Sequence, residues 1–162
     1  MKVAVISDTH DNVWKLAKAM PHLAAADAVI HCGDLVSPST VRDLAKGVGN
    51  TPIHIVWGNN ETDKSGIERL VEEFPHVTHH GMTAEIELQG LKVAACHYLR
   101  VAQRLASSGL YDMVCYGHKH KPHEEWIGDC LLLNPGEVMG MRGPSTIALV
   151  DLPERSVEWI DL

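Results

Sequence analysis

Paired cysteines, long apolar runs and surplus positive charge are all missing from this sequence, and each absence removes a class of protein. Four cysteines, Cys32, Cys96, Cys115 and Cys130, stand far apart and form no C-x-x-C pair, and a chain of this size needs no disulfide staples. Buried free thiols are the expectation, with soft-metal ligation by Cys32, Cys96 or Cys115 as the alternative. No stretch approaches the ~18 consecutive apolar residues of a membrane span. The opening "MKVAVISDTHD" reaches Asp8 too early for a secretory signal, so a cytoplasmic protein without membrane partners is expected. Lys and Arg number 14 against 21 Asp and Glu, a formal charge of −7. That balance offers no general attraction to nucleic-acid backbones, which requires clustered cations. Internal repeats, low-complexity tracts and linkers are absent too.

What is present reads as an ordinary folded chain. Apolar residues make up 45% and charged residues 22% of 162 positions, which is the globular range. One domain spanning residues 1–162 is expected, burying roughly two thirds of the surface of its unfolded form. "KVAVIS" is a β-branched run, and "NVWKLAKAMPHLAAA" repeats Val13, Leu16, Ala17 and Met20 at helical spacing. "DAVIHCGD" is a second strand. "SPSTVRDLAKGV" is a second helix with Ser37 or Ser39 as its N-cap, "PIHIVWGNN" a third strand and "KSGIERLVEEF" a third helix. Helix-length crossovers predict a parallel sheet with helices outside it. The second half predicts a hairpin turning at Gln89-Gly90, a helix over "VAQRLASSG", a strand over "YDMVCYG" and three short β segments to the end. The class is therefore α/β, two packed sheets covered by helices.

Chemistry collects at the predicted strand ends, where open α/β sheets bind ligands. Asp8 and His10 follow the first strand, Asp34 the second and Asn59 the third. His97 follows "VAAC", and His118 with His120 follow "DMVCYG". Seven carboxylate, amide and imidazole donors exceed the needs of one ion, and a mixed oxygen and nitrogen set suits Mn, Fe, Ni or Zn in a catalytic site. Two neighbouring ions fit the count, and two ions suit in-line displacement at phosphorus. Gly33, Gly58 and Gly117 each precede a candidate ligand, where backbone approach to ions or substrate is the expected reason for glycine.

The ordered set "DTH", "GD", "GNNE", "CH" and "GHKH" resembles the calcineurin-like metallophosphoesterases, especially their small single-domain microbial phosphodiesterase branch. The tail "NPGEVMGMRGPSTIALVDL" is similar at Asn134, Pro135, Gly136, Arg142, Pro144 and Ser145. The resemblance implies a four-layer αββα sandwich, two mixed sheets flanked by helices, that hydrolyses a small phosphodiester. It implies that Asp8, His10 and His120 hold one ion, that Asp34 bridges, and that Asn59, His97 and His118 hold the other. Two divalent ions are implied, Mn²⁺ foremost with Ni²⁺, Fe²⁺ or Zn²⁺ as alternatives, and a hydroxide between them as the nucleophile.

Two departures stand out. Asn60 lies where many members carry a histidine that protonates the leaving group; a phosphoryl contact is expected of it instead. Tyr98 and Leu99 replace the glycine and second histidine of "HGH" and are expected either to narrow the pocket or to alter the surroundings of the second ion. Arg142 is a candidate to grip a phosphate oxygen bidentately, or a surface arginine. His31 is either a residue that orients a ligand or a structural imidazole. Asn12 is a helix cap or a substrate contact, and Glu61 supports the ligand loop or faces solvent. His22, His54, His76, His79, His80 and His123 are expected to be structural or surface groups, with His79-His80 in a loop. Two other functions remain open, a catalytically silent scaffold like the retromer subunit of this fold and a phosphomonoesterase. "VEWI" leaves a homo-oligomer formed through an edge strand open.

Overall fold

The computed structural model describes all 162 residues. Two mixed sheets pack face to face with helices on both outer sides, giving four layers in the order α, β, β, α. The first sheet runs β11-β10-β1-β2-β3-β4. Its strands β1 (Lys2–Ile6), β2 (Ala28–His31), β3 (Ile53–Ile55) and β4 (Val77–His79) are parallel. β10 (Thr146–Asp151) pairs antiparallel with β1, and β11 (Ser156–Asp161) antiparallel with β10. The second sheet runs β5-β6-β7-β9-β8. There β6 (Leu91–Cys96), β7 (Met113–Cys115) and β9 (Cys130–Pro135) are parallel, with β5 (Thr83–Leu88) and β8 (Pro122–Ile127) antiparallel at the edges.

Strand alternation sorts each side chain into one of three apolar interfaces. Ala4 and Ile6 of β1 face α1 (Val13–Ala24), α2 (Pro38–Gly47) and α3 (Lys64–Val71) in one cluster, while Val3 and Val5 enter the layer between the sheets. Val93, Met113, Cys115, Leu131 and Leu133 meet them from the second sheet. The alternate residues Ala94, Cys96, Val114 and Leu132 pack under Ala102 and Ala106 of α4 (Leu99–Ala106). Strands buried on both faces read as continuous apolar runs, which explains their legibility in the sequence.

Local chemistry fixes the boundaries. Asn12 caps α1 by accepting the Lys15 N–H at 3.2 Å, and Asp63 caps α3 by accepting the Gly66 N–H at 2.8 Å. Ser37 is the N-cap of α2, but its hydroxyl donates to Asp11 at 2.7 Å and caps no helix N–H, leaving Pro38 to start the helix. The hairpin turns at Gln89 and Gly90, both with positive φ (52° and 78°), as a tight two-residue turn demands.

Three expectations need correction. β4 was not foreseen: Val77–His79 pairs with β3, so His79 ends a strand instead of lying in a loop. α4 begins at Leu99, ahead of Val101, and ends at Ala106. β7 stops at Cys115, two residues short of the end of the strand expected over "YDMVCYG", and His118 and His120 sit in a loop with φ of 66° and 56°.

Candidate metal centre

Loops leaving β1, β2, β3, β6 and β7 at their carboxyl ends converge on one spot across both sheets. Five of the seven candidate ligands adopt the left-handed backbone region: Asp8 (53°), His10 (45°), Asp34 (61°), His118 (66°) and His120 (56°). Each such residue costs about 1–3 kcal/mol and persists only where its surroundings over-determine it. Here backbone bonds between loops do so. Asp8 N–H donates to Gly33 O and His10 N–H to Asp34 O, both at 3.0 Å, and Met139 N–H donates to Asp8 O at 3.1 Å.

Donor atoms then face one another. Asp8, His10 and His120 form one cluster and Asp8, Asp34 and His97 a second, each within 4.8 Å. His120 Nε2 lies 3.3 Å from Asp8 Oδ1, and His10 Nε2 lies 3.7 Å from it. Asp34 Oδ2 stands 3.4 Å from both His10 Nε2 and His97 Nε2. Ligands about 2.0–2.2 Å from an ion are separated by roughly 3.0–3.5 Å along a polyhedron edge, which three of these four spacings match and the fourth exceeds slightly. Asp8 Oδ1 and His10 Nε2 are buried with no hydrogen-bond partner, the condition of groups that an ion would satisfy. The residues present therefore fit divalent metal ions.

Neighbouring bonds aim the ligands. His97 Nδ1 donates to Cys32 O at 2.7 Å, directing its other nitrogen towards Asn59 Oδ1 at 3.0 Å and Asp34. His120 Nδ1 lies 2.6 Å from Glu137 Oε2, which leaves Nε2 facing Asp8. A partner on the far ring nitrogen is the usual way a metal-binding imidazole is oriented. Asp8 Oδ2 is held by the Ser7 hydroxyl at 2.6 Å and His118 N–H at 3.0 Å, so only Oδ1 is free. Asp34 Oδ1 accepts from Asn59 and Asn60 N–H at 2.7 and 2.9 Å.

These contacts set the charges. Burial raises the Asp34 carboxyl, but His97 and the Asn60 donors outweigh it and hold it well below the ordinary range. Asp8 is likewise raised by burial and lowered further by His10 and Ser7. Asp8 raises His10, whereas burial lowers it less. Burial lowers His97, yet Asp34 overcomes this and the net shift is upwards. Both carboxylates are thus ionised, and protons compete for the imidazoles near neutral pH.

The structure brings Asp8, His10, Asp34, Asn59, His97 and His120 together. His118 stands at the rim, its ring 5.0 Å from that of His97 and outside both clusters. Asn60 Nδ2 donates to Asp34 Oδ2 at 2.7 Å, so its amide supports the carboxylate. Arg142 is exposed on the loop after β9, near enough to His10 to lower its basicity. Asn12 caps α1 and also donates to Met139 O at 2.8 Å. Glu61 supports the ligand loop by accepting from Asp34 N–H and Gly58 N–H at 2.7 and 3.1 Å. All four cysteines are buried in the apolar clusters as free thiols, raised by burial, and belong to neither donor cluster. The three glycines let the ligand loops pack closely on one another. A Cβ on Gly58 would strike Asp34, and one on Gly117 would strike Ser7 and Asp8.

Glu137 is the residue sequence reasoning missed. It is fully buried, and besides His120 its Oε1 accepts from Arg142 N–H at 2.6 Å and Gly143 N–H at 2.7 Å. One carboxylate thus ties a candidate ligand to the Arg142 loop. The available signal was a lone acid within the apolar run "PGEVM".

His31 is structural. Its Nδ1 accepts from Gly33 N–H at 3.2 Å, and Nε2 bonds Thr9 Oγ1 at 2.7 Å, joining two ligand loops. Burial lowers its pKa from 6.5 to about 3. The unfolded chain therefore binds the extra proton between those values, and stability falls as pH drops through that window. Between pH 7 and 5, His31 alone is expected to remove about 2 kcal/mol. Urea unfolding in chelator at both pH values, for the native chain and His31→Gln, isolates this contribution as the difference between the two pH slopes. Equal slopes would refute it.

Comparison with known proteins places this geometry. Residues 1–155 match the family described as the calcineurin-like phosphoesterase superfamily domain. A phosphodiesterase of Methanocaldococcus jannaschii is 30% identical over 100% of this chain and 99% of its own. A solved archaeal phosphodiesterase superposes with a TM-score of 0.91 at 30% identity, covering 100% of both chains. Vps29 of Entamoeba histolytica, solved with zinc, shares the fold alone, at a TM-score of 0.69 and 18% identity over 100% of this chain and 98% of its own.

Proposed function

Because this chain belongs to the calcineurin-like phosphoesterase superfamily, we propose that it is a metal-dependent phosphodiesterase whose residues 1–162 form one catalytic domain around two divalent ions. The observation that carries the reading is Asp34 Oδ2, 3.4 Å from both His10 and His97, where one oxygen reaches both donor clusters. Asp8, His10 and His120 would hold one ion and Asn59, His97 and His118 the other, with Asp34 between them. When bound, such a pair, Mn²⁺ foremost, supplies hydroxide at neutral pH and neutralises charge on the phosphate oxygens.

The chain's own groups do the remainder. The Asp34 carboxylate, kept ionised, holds its position through three donors from Asn59 and Asn60. Glu137 fixes the His120 ring and the start of the Arg142 segment together, which leaves the exposed Arg142 guanidinium to meet a non-bridging phosphate oxygen. No histidine stands at position 60 to protonate a leaving group, so diesters with good leaving groups are the favoured substrates. No helix is long and apolar enough to cross a membrane, and the proposed setting is the cytoplasm.

The test is hydrolysis of bis-p-nitrophenyl phosphate by metal-stripped protein before and after Mn²⁺, beside p-nitrophenyl phosphate. Mn²⁺-dependent turnover faster on the diester is expected. Faster monoester turnover would make the protein a phosphomonoesterase, and bound metal without turnover would make it a scaffold.

A further inference from the structure

Acids outnumber basic residues 21 to 14 over the chain, yet one region beside the metal centre reverses the ratio. It begins at His118, where a cavity of about 490 Å³ is lined by Tyr98, Leu99, Arg100, Gln103 and Lys119 and by no carboxylate. Leu99, Gln103 and Lys119 also line a second cavity of about 370 Å³ that reaches Lys121. A third, of about 430 Å³, continues along α4 through Arg100, Gln103, Arg104 and Ser107. Those four residues lie at i, i+3, i+4 and i+7, one stripe of the helix. The opposite stripe, Ala102 and Ala106, is buried against the second sheet.

Four cations therefore share one groove with a single acid, Glu125, whose carboxylate lies 3.9 Å from His123. Arg100, Arg104, Lys119 and Lys121 are exposed, and none of them is in an ion pair or donates a side-chain hydrogen bond. Lys119 sits between the candidate ligands His118 and His120, and His118 lines the first cavity, so the groove starts at the rim of the candidate metal centre. Tyr98, whose ring stands 5.0 Å from His118, and Leu99 form its wall.

We propose that this groove binds a second phosphate group of the substrate, which makes the substrate class a small phosphodiester bearing at least one further phosphate. The inference rests on the phosphodiesterase reading for the identity of the first phosphate. A long polyanion is disfavoured because only four cations are gathered and the remaining charge of the chain is negative. Each exposed cation and phosphate contact is weak and screened by salt, so several act together to discriminate.

Binding separates the two readings, since it needs no turnover. The dinucleotide ApA and its form phosphorylated at both ends, pApAp, each made with a hydrolysis-resistant methylenephosphonate bridge, are titrated calorimetrically into full-length native protein with Mn²⁺, and into the same protein carrying Arg100→Ala and Arg104→Ala. The doubly phosphorylated form is expected to bind roughly tenfold more tightly, an advantage that falls to about threefold or less in the double variant and shrinks in 0.5 M NaCl. ApA affinity serves as the control for folding. Equal affinity for the two dinucleotides, or an advantage untouched by the arginine replacements, would overturn the proposal. Failure of Mn²⁺-dependent hydrolysis alone would instead overturn the proposed function and leave the groove standing.

Discussion

Asp34→Ala is expected to abolish Mn²⁺-dependent hydrolysis of bis-p-nitrophenyl phosphate, with a loss of about 10³-fold or more. The size follows from position. Asp34 Oδ2 is 3.4 Å from an imidazole of each donor cluster, so in the proposed two-ion arrangement its removal would deprive both ions of a charged ligand at once. Folding should suffer far less, because the donors left behind belong to Asn59 and Asn60, which are exposed and regain water. Metal-induced thermal stabilisation is therefore the diagnostic readout. Native protein should melt higher with Mn²⁺, and the variant should melt at one temperature with or without it. Asp34→Asn keeps the shape and removes the charge, and the same failure is expected. Full metal content and rate in either variant would show that Asp34 does not bridge the two clusters.

The part of this site that was legible in the sequence is the part carried by residue identity at strand ends. Val3 to Ile6, Ala28 to His31, Val93 to Cys96 and Met113 to Cys115 advertise buried strands, so the polar groups following them stood out. The supporting contacts were hidden because they join distant segments. Glu137 and His120 are 17 residues apart, and Asp34 and Asn60 are 26 apart. Asn60 looked like a phosphate contact in one dimension, whereas folding places its amide on Asp34. β4 escaped notice for a different reason. Val77–His79 is a three-residue edge strand, apolar at one position, and its order comes from β3 rather than from its own pattern. The left-handed backbone at five candidate ligands was equally invisible, since neither aspartate nor histidine announces positive φ as glycine does.

Gly33→Ala is expected to be strongly damaging for a change of one methyl group, and a comparison with Gly49→Ala shows why. Both glycines have positive φ, +95° at Gly33 and +69° at Gly49, so both substitutions carry a conformational penalty of about 1 kcal/mol or somewhat more. At Gly49, just past the end of α2, a Cβ meets nothing within 4 Å. At Gly33 it would stand 2.7 Å from Gly58 N, 2.8 Å from Gly58 Cα and 2.8 Å from His97 Nδ1. The first two are backbone atoms that cannot rotate away. The third makes the bond to Cys32 that aims His97. Relief requires the β2 and β3 loops to separate, breaking the contacts that hold Asp34 and Asn59 in place. The expected cost is about 4 kcal/mol or more for Gly33→Ala against about 1 kcal/mol for Gly49→Ala, or roughly 10 °C against 3 °C in melting temperature. Thermal unfolding followed by circular dichroism, with and without Mn²⁺, measures both variants, and Gly33→Ala should also lose the metal-induced rise. Equal melting temperatures would mean that the loops separate freely, and the ligand geometry would then be set by the ions instead of by the packing of the loops.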